Sequence, residues 1–496
     1  MLNQTTMFQD AKPSDIHSML QIATQAFEWY KKQEPARRAS FLEAISVEIE
    51  NLGSTLIQTA QKETNLPEGR LLGERARTIF QLRSFAAMLR EGSWVEAAID
   101  TAIPDRVPPK PDLRKMLFPL GPVVVFGASN FPFAYSTTGG DTASALAVGC
   151  PVIVKAHPAH PQTSEMVAQA ISKAMDSCGI PAGVFQHLHG GSFEVGQLLV
   201  QHPLTKAVGF TGSLAGGKAL YDHVQQRKKP IPLFAEMSST NPIVLLPEVL
   251  RQNSAAVASM IADSITLGMG QFCTNPGLMI AIEGEDLDNF LQLLGQAIAQ
   301  AAPSKMLHAG IEANYLNRLQ QTLSTKGVSL IAAAAATNEP VPAIATVCSA
   351  VFLQNPLLHE EVFGPFSLLV SCPDQFAAKE VLQAVEGQLT TSIHGTLSDF
   401  QQHQALIEVA QAIAGRVVFN GVPTGVEVCP SMVHGGPFPA TTDSRFTAVG
   451  IHAAKRWVRP ISFQNCPQEL LPDELKDENT RHIWRLVNNE FTKASL

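Results

Sequence analysis

Short apolar runs separated by helix-like stretches dominate residues 122–247, and they narrow the possible folds more than any other feature. The runs are PVVVFGA (122–128), PVIVKA (151–156), AVGFTG (207–212), IPLFAE (231–236) and PIVLLP (242–247). Strands that alternate with helices in this way are joined by crossovers, so they read as parallel βαβ units in a dinucleotide-type α/β domain. A second α/β series follows from Ser254. Its strand candidates are LMIAIEG, an alanine-rich stretch at 332–336, ATVCSAVFL, FSLLVS, LTTSIHG and GRVVFNG.

Residues 15–100 carry apolar side chains at the i, i+3, i+4 spacing of amphipathic helices, as in IHSMLQIATQAFEWYKK and RASFLEAISVEIENL. A proline-rich crossing, 103–112, separates these helices from the first strands. Near the end of the chain, KRWVRPISFQ reads as a strand whose proline confines it to a sheet edge, where pairing with another subunit is expected. The expected fold class is α/β with two Rossmann-like parallel-sheet domains and a small β oligomerisation element. In residue terms these are a cofactor-binding domain at 1–100 and 120–238, a catalytic domain at 239–446, and an oligomerisation element at 101–119 and 447–496.

A chain of 496 residues is too long for one core and suits two or three. The net charge of -8 argues against nucleic acid or an anionic membrane as partner. The basic run Arg227, Lys228 and Lys229 reads as a solvated helix end. No secretory leader pattern or run of about 18 apolar residues occurs, so the expected location is cytoplasmic. The seven cysteines are widely spaced with no C-x-x-C pair, which suits reduced thiols and no zinc site. Prolines follow His157 and His160, and no acidic or thiol partner is near, so no metal is expected.

Five segments bear on chemistry. GQFCTN (270–275) places Cys273 among small and polar neighbours after the apolar helical stretch Ala255 to Leu267, which suits a nucleophilic thiol; a packing cysteine is the alternative. In GASNFPF, Asn130 follows a strand and is able to donate to an oxyanion, or to form an Asx turn ahead of Pro132. Glu236 ends the run IPLFAE and is either a general base or a cap. GFTGSLAGGKAL leads from a strand through glycines into a helix, where backbone N–H groups can hold a pyrophosphate; a plain tight turn explains it equally well. HEEVFGPF has an acidic pair before an aromatic and a Gly-Pro turn, suited to a ribose diol or to a surface loop.

Taken in order, these segments are similar to those of the aldehyde dehydrogenase superfamily over essentially the whole chain. SNFP matches its asparagine motif, GFTGS its coenzyme turn, AEMSSTNP its glutamate motif, GQFCTNPG its nucleophile motif and EEVFGP its nicotinamide-ribose motif. The resemblance implies a thiohemiacetal and then a thioester on Cys273, an oxyanion site at Asn130 and the Cys273 N–H, and hydrolysis assisted by Glu236. Cofactor contacts are implied at Lys155, His157, Pro158, Gly209, Gly212, Ser213, Glu361 and Phe363, and an aldehyde tunnel at Phe131 and Phe133. The expected partner is a small-molecule aldehyde, and a homodimer or homotetramer is the family expectation. Relatives that pass the acyl group to coenzyme A lack the glutamate, so free acid is the expected product.

Met237, Ser238 and Ser239 stand where most members carry a Gly-Gly pair. With HGGPFPATTDSRFTAVG and IWRLVNNEFT, they resemble the α-ketoglutaric semialdehyde dehydrogenase branch, which oxidises 2,5-dioxopentanoate to 2-oxoglutarate. NADP-linked fatty aldehyde dehydrogenases are the alternative. A thiol hydrolase or acyltransferase is the rival chemistry. A silent binding protein is the remaining class, although the cysteine, glutamate and asparagine are all present. NAD-specific relatives place a glutamate where this chain has Pro158, so a 2'-phosphate meets no repulsive carboxylate there, and NADP is favoured over NAD. Arg445 reads as a structural ion-pair partner before a substrate contact.

Overall fold

The computed structural model describes residues 8–335 and 339–496. Ala336, at the end of the alanine-rich stretch, lies outside them. Four helices come first: Pro13–Tyr30, Pro35–Asn51, Gly53–Thr64 and Glu68–Glu91. The last three close over one side of a five-stranded parallel sheet, sharing a core of Phe41, Leu42, Leu82 and Phe85 with Val123 and Val152, whereas Ile16 and Leu20 of the first pack on the opposite face with Val124 and Ile153. The sheet order is Phe185–Leu188, Val152–Lys155, Val123–Phe126, Ala207–Thr211, Leu233–Glu236. Its central strand, VVVF, is buried throughout, as a parallel strand covered by helices on both faces must be.

The second sheet has seven strands, in the order Ser329–Ala333, Ala343–Cys348, Phe366–Cys372, Leu278–Ile282, Ile243–Leu245, Gln388–His394, Ala414–Phe419. All pairings are parallel except that of the edge strand Ser329–Ala333. Ile243–Leu245, which follows the first series of runs but falls within the expected catalytic domain at 239–446, is a central strand here. The run ATVCSAVFL divides at Cys348: the strand ends and Ser349–Gln354 is helical. Phe185–Leu188 was not anticipated, because FQHL interrupts its apolar pattern with Gln186 and His187.

A third sheet, also of five strands, joins distant segments in the order Val458–Gln464, Leu113–Pro119, Ala98–Asp100, Arg485–Val487, Glu490–Thr492. Ala98–Asp100, placed by sequence with the N-terminal helices, belongs to it. Pro460 lies in the edge strand, where its missing N–H breaks no second ladder. The tail is tied back to the first sheet's helices by the Arg456 Nη2–Asp141 Oδ1 ion pair of 2.6 Å and by Trp457 Nε1–H donating to Ser144 Oγ at 2.7 Å. Arg227 is not a solvated helix end: its guanidinium donates to the carbonyls of Val200, His202 and Thr205 and locks that turn.

Candidate active site

Strand order in the first sheet reverses between Val123–Phe126 and Ala207–Thr211, and such a switch opens a crevice beyond the carboxyl ends of the strands. Glu236 is the last residue of its strand and Lys155 of its own; Asn130 and the Gly212-Ser213 turn follow two others.

Cys273 reaches this crevice from the second sheet. After the helix Pro247–Thr266, three consecutive residues are left-handed: Gly268 at φ 54°, Met269 at φ 57° and Gly270 at φ 62°. Glycine is required at 270, because a Cβ there would lie 2.2 Å from the Gly364 carbonyl oxygen. The nucleophile loop is thereby pressed against the EEVFGP segment, and Asn275 Nδ2 donates to the same carbonyl at 3.1 Å. Asn241 Nδ2 donates to the Cys273 and Asn275 carbonyls, each at 2.9 Å. Gln388 Oε1 in turn accepts from Ser239 Oγ and from the N–H groups of Thr240 and Asn241. At about 1 kcal/mol net for each bond, this buried network sets the Cys273 loop against the Glu236 strand.

His434 joins the two. Its Nε2 lies 3.0 Å from Glu236 Oε1 and 3.5 Å from Cys273 Sγ. Burial works to raise the proton affinity of Glu236, but the charge and hydrogen bond of His434, with a contribution from Cys273, outweigh it and hold the carboxyl below its usual range. The thiol moves the other way: although the residue keeps some solvent access, burial, followed by the charge of Glu236, pushes it well up. The pair therefore rests as a thiol beside a carboxylate. In the sequence His434 opens the segment HGGPFPATTDSRFTAVG, one of those that carry the branch resemblance, but that resemblance gives it no role.

Asn130 Nδ2 donates to the Gln271 carbonyl at 3.2 Å, two residues before Cys273, and its other amide hydrogen has no partner among the described residues. Phe131 stands edge-on to Tyr135 and to Phe272, with ring centroids 5.2 and 5.6 Å apart, and Arg70 lies over its ring. Phe133 does not share that wall: it is 1% exposed and belongs to the core between the helices and the first sheet. Arg445 is exposed and forks onto Asp443, a local ion pair. Arg70 is paired with Glu74 at 2.6 Å. Arg77 and Arg416 differ, since neither has a carboxylate within ion-pair distance among the described residues and each has a buried Nε without a hydrogen-bond partner. Both are close enough to feel a charge on Cys273.

The crevice also fits a dinucleotide. Ser213 caps the helix Leu214–Gln225, its Oγ accepting from Gly216 N–H at 3.2 Å, and the N–H groups of this helix start are suited to a phosphate; Gly216 and Gly217 let the first turn pack on Phe210 and Met237, where a Cβ would fall 3.0 and 2.5 Å away. Gly209 and Gly212 have no room for a Cβ, which would lie 2.6 Å from Asp141 Oδ2 and from the Phe210 ring. Ser238 Oγ donates to Glu361 Oε2 at 2.9 Å, yet burial still pushes that carboxyl up to about 7. Phe363, two residues on, is half-buried. Lys155 has no carboxylate partner within ion-pair distance among the described residues. Pro158 is exposed beside it. His157 is held neutral, chiefly by burial and then by the charges of His160 and Lys155, so it adds no positive charge beside the lysine. Asp10, pinned by the N–H groups of Gly191 and Ser192, lies within the field of Lys155. His160 is a structural residue, bonded to Ala128 O and Ser164 Oγ.

A family model described as "Aldehyde dehydrogenase family" matches residues 3–437. The chain is 49% identical over 484 residues to alpha-ketoglutaric semialdehyde dehydrogenase 2 of Azospirillum brasilense, covering 97% of this chain and 92% of that protein. It is 46% identical over 492 residues to alpha-ketoglutaric semialdehyde dehydrogenase of Acinetobacter baylyi, covering 98% and 93%. Among solved structures, a betaine aldehyde dehydrogenase from Staphylococcus aureus superposes with a TM-score of 0.78 at 18% identity, over 92% of this chain and 90% of that one. Aldehyde dehydrogenase 21 from Physcomitrella patens gives 0.76 at 19%, over 92% of each.

Proposed function

Because this chain belongs to the aldehyde dehydrogenase family and is an NAD(P)-dependent enzyme of that class, we propose that it oxidises 2,5-dioxopentanoate to 2-oxoglutarate through Cys273, Glu236 and Asn130. Cys273 Sγ bonds to the aldehyde carbon while the thiol proton passes to Glu236. The carbonyl oxygen takes the displaced electron pair and accepts from Asn130 Nδ2 and the Cys273 N–H. The bound cofactor supplies the hydride acceptor, held at the Ser213 helix start and by Glu361. Hydride loss leaves a thioester on Cys273. Once Glu236 has released the thiol proton to solvent, it removes a proton from water, the water oxygen bonds to the acyl carbon, the C–S pair returns to sulfur, and the thiolate recovers its proton from Glu236.

The two guanidinium groups without carboxylate partners carry the substrate assignment. Half-buried Arg77 donates to Tyr135 Oη at 3.3 Å and half-buried Arg416 to the Gly425 and Pro423 carbonyls, so both have neutral partners only; a hydrocarbon tail adds nothing to them, whereas the distal carboxylate of a dioxo acid balances their charge. The names of the two relatives from Azospirillum brasilense and Acinetobacter baylyi agree with this reading. In a reduced-cofactor assay, kcat/KM for 2,5-dioxopentanoate is expected to exceed that for decanal or hexanal by about 100-fold, the worth of one or two charge-assisted hydrogen bonds. Arg77→Gln should raise KM for the dioxo acid about tenfold and leave decanal turnover in place. Preferred turnover of decanal would move the enzyme to the fatty aldehyde class. The same assay compares cofactors: Pro158 in place of a carboxylate and an unpaired Lys155 support NADP over NAD, while Asp10 and a neutral His157 keep the preference below about tenfold.

We assign 101–119 and 447–496 to assembly, with the open edge Val458–Gln464 as the pairing strand of a homodimer or homotetramer. Light scattering should read two or four times the chain mass, and a monomer would remove that role. No helix among the described residues is long and apolar enough to cross a membrane. The seven free cysteines support a reducing, cytoplasmic setting.

A further inference from the structure

We propose that His434 is a third catalytic residue, whose single Nε2–H serves in turn the Glu236 carboxylate and the Cys273 thiolate as negative charge moves between them. The proposal rests on Cys273 and Glu236 acting as above. An ionised carboxylate only accepts hydrogen bonds, so the 3.0 Å contact with Glu236 Oε1 puts the imidazole hydrogen on Nε2. The same nitrogen is 3.5 Å from Sγ. Glu236 Oε2 is buried and has no hydrogen-bond partner among the described residues, which leaves it free to take a proton. When the thiol proton moves to Oε2, the negative charge moves to Sγ, and the Nε2–H turns from Oε1 to the sulfur with no displacement of the backbone. In thioester hydrolysis the direction is the same: Glu236 takes a proton from water, and the departing thiolate receives the hydrogen bond that the carboxylate gives up.

The backbone holds His434 in place for this role. Its N–H donates to Thr447 Oγ1 at 2.9 Å and its carbonyl accepts from Ala448 N–H at 2.8 Å. Its segment pairs with the Glu236 strand, Met237 N–H donating to Ala440 O at 2.9 Å and Thr442 N–H to Ala235 O at 3.1 Å. Gly435 and Gly436 permit the approach, since a Cβ at either would fall 2.6 Å from Phe446 O or 2.0 Å from Gln388 O. Tyr135, Arg77, Arg416, Glu361 and Arg456 are the other titratable or charged groups whose fields reach this cluster.

The test is the pH dependence of Cys273 alkylation by iodoacetamide, read on the Cys273 peptide by mass spectrometry without substrate or cofactor. His434→Phe is expected to move the profile up by about one pH unit, so that alkylation near neutral pH slows about tenfold while the limiting rate at high pH is unchanged. Hydrolysis of the acyl-enzyme, timed after a single turnover, should slow by a similar factor. His434→Gln, whose amide N–H reaches the Nε2 position, should recover at least about half of the shift. A His434→Phe profile that superposes on the parent's, with only KM altered, overturns the proposal. If the Phe variant fails to fold by thermal melting, the folded Gln variant decides. A shift below about half a unit then supports the shared donor, and a shift of about one unit or more overturns it. Failure of the underlying reading is distinguished by Cys273→Ala, which would then retain activity whatever the alkylation data show.

Discussion

Cys273→Ala is expected to lower aldehyde oxidation by about 10⁴-fold or more, because the thioester path needs a sulfur at this position and the chain offers no substitute. Of the other six cysteines, Cys150 and Cys372 are buried in the cores of the first and second sheets, and none of the six contacts Glu236 or His434. The fold should survive the change. Asn241 and Gln388 hold the loop through backbone carbonyls and N–H groups, which alanine preserves, so the melting temperature should change by no more than a few degrees, as for a loss below about 1 kcal/mol. Cofactor affinity, read by fluorescence, should also be retained. Residual turnover above about a hundredth of the parent's in a folded variant would remove Cys273 from the mechanism.

Glu236→Gln should separate the two half-reactions. Acylation leaves one reduced cofactor per active site in a rapid burst, and the steady state then falls by about 10² to 10⁴-fold for want of a base on water. Quenched protein should carry the acyl group on Cys273 by mass. The thiol itself should become easier to ionise, since the anion that pushes it up is gone, and its alkylation near neutral pH should quicken. In the parent, His434 holds the Glu236 carboxyl below its usual range, so the base is charged throughout neutral pH. Hydrolysis is lost only as pH falls through that depressed value. A Gln variant that shows no burst, or that turns over normally, would contradict the role given to Glu236.

The alternation of short apolar runs with helices was enough to establish the α/β class, because a parallel strand covered on both faces has to be apolar along its length, and that pattern is local. Local patterns also marked the two ends of the nucleophile loop, the glycine turn into the helix after Thr211 and the edge-strand proline. They did not say which sheet a strand joins: Ile243–Leu245 reads like its predecessors but lies at the centre of the other sheet, since strand order depends on long-range pairing. Nor did they separate Phe131, at the wall near Cys273, from Phe133, two residues on and in the core.

What only the tertiary structure decided is which distant groups meet. Glu236, Cys273 and His434 are spread over about two hundred residues, and Arg77 and Arg416 over more than three hundred. A histidine before two glycines, or an arginine in an apolar strand, carries no mark of its partners in the chain. The partners appear when the switch in strand order brings the first sheet's carboxyl ends against the second sheet's loops. There, burial raises the energetic cost of each uncompensated charge, so the guanidinium groups that meet only neutral partners point to what the site receives.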